Sequence, residues 1–259
     1  MSTDPAFQRL RLLVGDAALE RIRSARVILF GIGGVGSWCA EALVRSGIGH
    51  LTIVDGDTVC ATNINRQLQA TSANIGAPKV DELHRRLVSI HPGPVVEPLD
   101  AIYDKATRDR FDLGSYDCVV DAIDSYTQKL DLIEHAWGLG TPIFSSMGAA
   151  GRLDPTKIRT ASLWHARMDR FAKILRKGLR RRDFQGDLQC VYSEEPAILP
   201  LEPEPSPPVA ESRTDGRVDW NERKIVINGS AVHVTASFGM ALAGLVLRHV
   251  QSVPHRRTP

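Results

Sequence analysis

Gly31–Gly49 reads GIGGVGSWCAEALVRSGIG and follows directly on ARVILF, Ala25–Phe30. A short run of apolar, partly β-branched residues gives way to a glycine-rich turn and then to an amphipathic stretch. Strand, turn and helix in that order place a nucleotide at the turn. Gly31, Gly33 and Gly36 have the spacing G-x-G-x-x-G, and Gly34 adds a further position without a Cβ. Glycine there allows a tight turn and lets backbone N–H groups approach phosphate, while the helix N-terminus favours negative charge. Asp55 ends the next strand pattern, LTIV (Leu51–Val54), where an acid hydrogen-bonds a ribose hydroxyl. Up to this point NAD and ATP fit equally well, and close helix–strand packing without a ligand is the remaining alternative.

Working outward, strand patterns recur at RVILF, LTIV, VVEPL (Val95–Leu99), DCVVD (Asp117–Asp121) and PIFSS (Pro142–Ser146). Such short, apolar runs suit strands buried on both faces. Helical stretches lie between them at Gly34–Gly47, Lys79–Ile90, Thr107–Leu113 and Ser125–Trp137. This alternation predicts an α/β fold with a doubly wound, mostly parallel, Rossmann-like sheet. The expected organisation is an N-terminal helical arm over 1–23, a nucleotide domain over 24–148 and a C-terminal α+β extension over 149–259. In the arm, FQRLRLLVGDAALERIRSA is expected to be helical. In the extension, IRTASLW and DLQCVYSEE read as strands and RMDRFAKILRKGLRRRDF as a basic helix. Residues 196–217 are rich in Pro and Glu and read as a mobile loop.

The chain has 259 residues, which suits one α/β domain with an appendage or two small domains. Its net charge is only +2, so no global polycation is implied. Cys39, Cys60, Cys118 and Cys190 form no C-x-x-C pair, which argues against a zinc knuckle and fits reduced thiols in a cytoplasmic enzyme. Met1–Phe7 lacks the apolar core of a signal peptide. AVHVTASFGMALAGLVLRHV (Ala231–Val250) is interrupted by His233, Thr235 and Ser237. It reads as a buried C-terminal helix rather than a membrane span, with peripheral membrane association as the alternative.

The segment VDGDTVCATNINRQLQ separates the two nucleotides. Asp55 and Asp57 are followed by Asn63, Asn65, Arg66 and Gln67, then by Lys79 at a helix start and by Asp124 in DAIDS. A nicotinamide needs neutral, apolar surroundings. This set instead gathers Arg, Lys and carboxylates at the phosphate end, as suits charge stabilisation at a reacting phosphate with a metal ion. Each residue also has a plainer reading: Arg66 as a surface ion pair, Lys79 as a solvated helix residue, Asp57 as a turn former. Asp121 lies inside the strand end and reads as structural.

At these residues the sequence resembles the ubiquitin-activating-type adenylyltransferases, which include the enzymes that activate sulfur carriers for molybdopterin and thiamine synthesis. The matching motifs are GxGGxG (Gly31–Gly36), D-x-D (Asp55, Asp57), N-x-N-R-Q (Asn63–Gln67), Lys79 and the D-x-x-D of Asp121–Asp124. The resemblance implies ATP with Mg2+. Carried over residue by residue, Asp55 is the ribose ligand, and Asn65, Arg66 and Lys79 are the phosphate ligands. Asp124 is the magnesium-associated carboxylate. Arg9, in FQR, or Arg11 as its substitute, is the arginine that reaches the partner subunit's ATP in a homodimer.

Carrier-activating relatives usually carry a C-x-x-C zinc pair, which this chain lacks. GAAGRLDPTKI, CVYSEEP and TASFGMALAG instead resemble another branch, the tRNA threonylcarbamoyladenosine dehydratases. That likeness extends over nearly the whole chain except the loop around Leu199–Arg217. It implies an ATP-dependent ring closure, through an acyl adenylate, on the threonylcarbamoyladenosine beside the anticodon of tRNA. Activation of a small sulfur-carrier protein is the alternative. The resemblance also allows a monovalent cation, Na+ or K+, at the carbonyls of GAAG, and cysteine-desulfurase or sulfur-acceptor partners. Cys190 reads as an ordinary buried cysteine, with a catalytic thiol as the rival. In the basic helix, Arg176, Lys177, Arg180 and Arg181 are the expected tRNA contacts, against the alternative of a solvated face.

Overall fold

The computed structural model describes residues 4–199 and 228–252. Most of the loop expected over 196–217 therefore lies outside the described residues. One seven-stranded sheet organises the rest, in the order β3-β2-β1-β4-β5-β7-β6. Its strands are β1 (Arg26–Phe30), β2 (His50–Asp55), β3 (Val95–Asp100), β4 (Cys118–Asp121), β5 (Ile143–Ser146), β6 (Ile158–Ser162) and β7 (Gln189–Ser193). All neighbours run parallel except β6 and β7. The α/β class and the doubly wound topology are as the sequence predicts, and β7 and β6 extend the same sheet.

The helices are α1 (Gln8–Val14), α2 (Asp16–Ser24), α3 (Gly36–Arg45), α4 (Lys79–Val88), α5 (Tyr126–Gly138), α6 (Arg170–Arg181) and α7 (Val232–Ser252). Alternation along β1 shows how the sheet is covered. Val27 and Leu29 join the core built with α3, α4 and α7, while Ile28 and Phe30 join the core built with α5 and α6. A strand buried on both faces needs no polar side, which is why RVILF is apolar throughout. Helix α7 lies against α3, and a Cβ on Gly239 would come within 2.5 Å of the Val35 carbonyl oxygen, so that crossing requires glycine. Val234, Phe238, Leu242 and Val246 of α7 are buried, in line with the expected buried helix. Among the described residues no helix is long and apolar enough to cross a membrane.

Two local expectations are corrected. The N-terminal arm is two helices, broken at Gly15, whose φ is +83°. Thr107–Leu113 is not an α-helix but carries short 3-10 turns at Arg108–Arg110 and Leu113–Ser115. There the Asp104 carboxylate accepts the N–H groups of Ala106 at 2.8 Å and Thr107 at 2.9 Å. Side chain-to-backbone bonding of this kind competes with the helical ladder.

Candidate active site

Strand order reverses between β2-β1 and β4-β5, so the crevice beyond the ends of β1 and β4 is the topological switch point where such sheets bind ligands. The glycine turn fills it. The Gly31 N–H donates to the Val54 carbonyl at 2.9 Å, and φ at Gly31 is +82°. A Cβ on Gly31 would stand 2.8 Å from the Ala122 oxygen, and one on Gly36 would stand 1.8 Å from the Gly31 oxygen. These two glycines serve tight packing. Gly33 and Gly34 face Gln67 and Arg66 instead, with contacts of 3.7 and 3.2 Å from a Cβ at each. The G-x-G-G-x-G motif thus divides into packing positions and positions open to the site.

Asp55, at the end of β2, accepts the N–H of Ile32 and the N–H of Asp57, each at 2.9 Å. It therefore fixes the glycine turn to the second loop. Burial raises the Asp55 carboxyl and Lys79 opposes that rise. Lys79, the first residue of α4, donates to the Asp57 carboxylate at 2.7 Å and is only 4% exposed. Burial alone would lower its ammonium, but Asp55, Asp57 and Asp124 hold it above its usual value. The neighbouring carboxylates thus keep a cation beside the glycine turn although it is buried.

Arg66 donates to the Thr62 carbonyl at 2.7 Å and to the Asn65 side chain at 3.1 Å. Burial lowers its guanidinium and Asp124 opposes that. Asp124 is thus within electrostatic reach of both Arg66 and Lys79. Helix α3 holds this segment in place: the Trp38 indole donates to the Arg66 carbonyl at 3.1 Å, and the Ser37 hydroxyl donates to the Gly33 carbonyl at 2.7 Å. Asn63 is buried and closes a turn by accepting the Cys60 N–H at 3.1 Å. Asn65 reaches across to the Ser230 carbonyl at 2.9 Å. Gln67 carries a buried Oε1 without a protein donor among the described residues. An unsatisfied buried acceptor beside a glycine turn, next to a lysine and an arginine, fits a nucleotide that supplies both donors and phosphates.

The structure therefore brings Gly31–Gly36, Asp55, Asp57, Arg66, Gln67, Lys79 and Asp124 to one rim. Arg9 is not among them: it is exposed on α1, and its side chain makes no hydrogen bond or ion pair with the described residues. Arg11 pairs with Asp16 at 3.2 Å. No group of three or more His, Cys, Asp or Glu that could hold a metal ion occurs among the described residues. In GAAG, the Gly148 carbonyl already accepts Arg152 at 3.0 Å and the Gly151 carbonyl accepts the Ile198 N–H at 2.7 Å.

Residues 7–182 match the ThiF family. The chain belongs to the ThiF family. Within it, the chain is 38% identical over 193 residues to the tRNA threonylcarbamoyladenosine dehydratase of Bacillus subtilis (strain 168), covering 74% of this chain and 76% of that one. It is 33% identical over 261 residues to the Escherichia coli (strain K12) protein of the same name, covering 95% and 93%. The solved structure of the E. coli dehydratase TcdA in complex with ATP superposes with a TM-score of 0.81 at 31% identity, covering 97% of this chain and 98% of that one. The E. coli molybdopterin-synthase adenylyltransferase is 31% identical over 135 residues, only 52% of this chain. The likeness to the dehydratases thus continues through the C-terminal half of this ThiF-family chain.

The structure also holds pairings that the sequence does not announce. Lys129 and Asp121 form a fully buried ion pair at 2.6 Å, and Lys129 also donates to the Ser145 hydroxyl at 3.1 Å and the Ser146 carbonyl at 3.0 Å. The pair ties the end of β4, where the Asp124 loop starts, to the end of β5. Arg152 is buried and donates to the carbonyls of Gly148, Ser193 and Glu195 and, at 2.7 Å, to Asp169. Lys129 reaches from α5 to the ends of β4 and β5, and Arg152 reaches Ser193, Glu195 and Asp169, contacts that no helix or strand period signals. Cys190 is buried, and its thiol is pushed up to about 12, chiefly by burial.

The basic helix α6 is present, with Leu175 and Leu179 buried and Ile174 exposed. Its expected contact set divides. Arg176 turns into the protein and donates to the carbonyls of Leu163 at 2.9 Å and Ala166 at 2.6 Å. Arg180 lies over the Trp164 ring at 5.3 Å, while Lys177 and Arg181 are exposed.

Proposed function

We propose that this chain is an ATP-dependent dehydratase that closes the threonylcarbamoyladenosine next to the anticodon of tRNA into its cyclic form. The carrying observation is the buried Lys79–Asp57 pair with Arg66 and Asp124 around the glycine turn, in a chain whose dehydratase relatives match it through both halves. Asp55 takes the ribose, Asn65, Arg66 and Lys79 take the phosphates, and Asp124 takes Mg2+, which supplies charge neutralisation there when bound. Gly33, Gly34 and Gln67 line the nucleotide, and Asp57 and Asn63 hold Lys79 and the turn. Arg9 reaches the second subunit's nucleotide in a homodimer. Residues 149–259 face the tRNA, and the protein works in the cytoplasm.

A carboxylate is a poor electrophile because acyl substitution would have to expel oxide. Its oxygen attacks the α-phosphorus of ATP, and pyrophosphate leaves. The resulting acyl adenylate has AMP as a good leaving group. A nucleophile within the same modification attacks the acyl carbon, the C–O bond to AMP breaks, and the ring closes. The net change is loss of water from the nucleoside, its oxygen carried off in AMP. The chain's own part is to hold the reactants in line and neutralise charge at the α-phosphate with Arg66 and Lys79. No protein nucleophile enters, in keeping with the buried, strongly basic Cys190 thiol. Mass spectrometry of tRNA nucleosides from a strain lacking the gene tests the reading. Loss of the cyclic nucleoside with accumulation of the open form is expected. An unchanged nucleoside pattern contradicts it.

A further inference from the structure

We infer that the solvent stripe of α6, with Met168 at its head, is the track along which tRNA lies, and that Met168 meets the nucleobase of the substrate nucleoside. The inference rests on the tRNA reading above. Met168 is 69% exposed and adopts φ +61°, in the left-handed region that a residue with a Cβ disfavours. Everything around it is pinned. Arg176 holds the Leu163 and Ala166 carbonyls. The Asp169 carboxylate accepts the Ala172 N–H at 2.8 Å and Arg152 at 2.7 Å. A strained corner so over-determined, presenting one large apolar side chain to solvent, is built to present it.

The cations divide by what they touch. Arg176, Arg180 and Arg182 are engaged with carbonyls, Trp164 and Glu134 respectively. Arg167, Arg170, Lys173, Lys177 and Arg181 are all exposed and make no side-chain hydrogen bond or ion pair among the described residues. On a 3.6-residue helix, positions 170, 173, 177 and 181 fall along one line, spanning about 16 Å with Ile174 beside it. A row of unpaired cations at one-turn intervals complements a phosphodiester chain, and apolar Met168 and Ile174 complement base faces.

The track has a direction. Asp169 is tied through Arg152 to the Gly148 carbonyl, just past β5 and one strand from the β4 end that leads to Asp124. Along α6, Gly178 abuts Tyr126 and Leu130 of α5, and Arg182 pairs with Glu134 further down α5. Helix α6 therefore runs with α5, away from the nucleotide rim. Met168 is at the reacting end and Arg181 at the distal end, which places the modified base at 168 and flanking backbone toward 181.

Full-length protein carrying a photoreactive residue at 168 or at 181, irradiated with tRNA bearing threonylcarbamoyladenosine, reads the direction. Crosslinks from 168 to the anticodon loop and from 181 to the adjoining stem are expected. Met168→Gly, which relieves the left-handed backbone, should bind ATP normally yet lose about tenfold in kcat/KM for tRNA. The double change Lys173→Glu with Lys177→Glu should flatten the salt dependence of tRNA binding by roughly two units, and Lys105→Glu, at an exposed lysine between β3 and the turn at Arg108–Arg110, should not. Wild-type values for Met168→Gly and the double variant, or crosslinks in the reverse order, overturn the track while leaving the dehydratase reading intact. A wild-type chain that neither binds nor cyclises this tRNA overturns both.

Discussion

Lys79 and Asp57 are joined twice: the Lys79 N–H donates to the Asp57 carbonyl at 3.0 Å, and its ammonium donates to the Asp57 carboxylate at 2.7 Å. The loop after β2 and the start of α4 are thereby locked with a cation nearly sealed from water. Because Asp55, Asp57 and Asp124 hold the ammonium above its usual value despite burial, Lys79 stays charged in the folded chain. A raised folded pKa gives stability that is fully present below the unfolded value of about 10.4 and lost as pH rises through the folded value. Urea unfolding of wild type and Lys79→Met from about pH 8 to pH 11 should show the wild-type advantage constant at first and shrinking at the alkaline end. An advantage that grows with pH contradicts the assignment.

Arg66→Ala and Asp124→Ala should keep the fold and lose on the order of 10²–10³ in ATP turnover, as for removal of a charge-stabilising group. Pyrophosphate release measured beside melting temperature separates the cases. A drop in melting temperature large enough to account for the lost activity assigns them a structural role instead.

The Lys129–Asp121 pair has no exposure at all. Lys129→Met leaves a buried carboxylate without its counter-ion and should cost about 3–5 kcal/mol. Adding Asp121→Asn to it should recover part of that loss. Equal stability of wild type and Lys129→Met by chemical denaturation contradicts the pair's role in holding the β4 and β5 ends together.

These predictions differ in how far the sequence anticipates them. The glycine turn, the strands and the Asp55–Asp124 set are legible because each is local: alternation, a turn spacing, an acid at a strand end. The extents of β1 and α4 follow the pattern directly. Lys129 and Arg152 are not legible, because Lys129 reaches from α5 to the ends of β4 and β5 and Arg152 reaches the cap of α6, contacts that form only when helices and sheet pack. Arg176 shows the same limit from the other side. Its helix and its charge are plain in the sequence, but a helical repeat cannot say that the Leu163 and Ala166 carbonyls wait at that azimuth.

Cys190→Ser should retain most ring-closing activity. The thiol is buried and pushed up to about 12, so it supplies no thiolate near neutrality. Turnover of tRNA by the variant, compared at equal folded concentration, checks this. Complete loss with normal folding revives a covalent mechanism.

The acyl-adenylate route is tested most directly by oxygen tracing. Purified protein is given ATP and tRNA whose threonylcarbamoyl carboxylate carries heavy oxygen, and the released nucleotide is weighed by mass spectrometry. The account predicts AMP bearing one heavy oxygen from each doubly labelled carboxylate, formed together with the cyclic nucleoside. Unlabelled AMP, or release of ADP in its place, contradicts it.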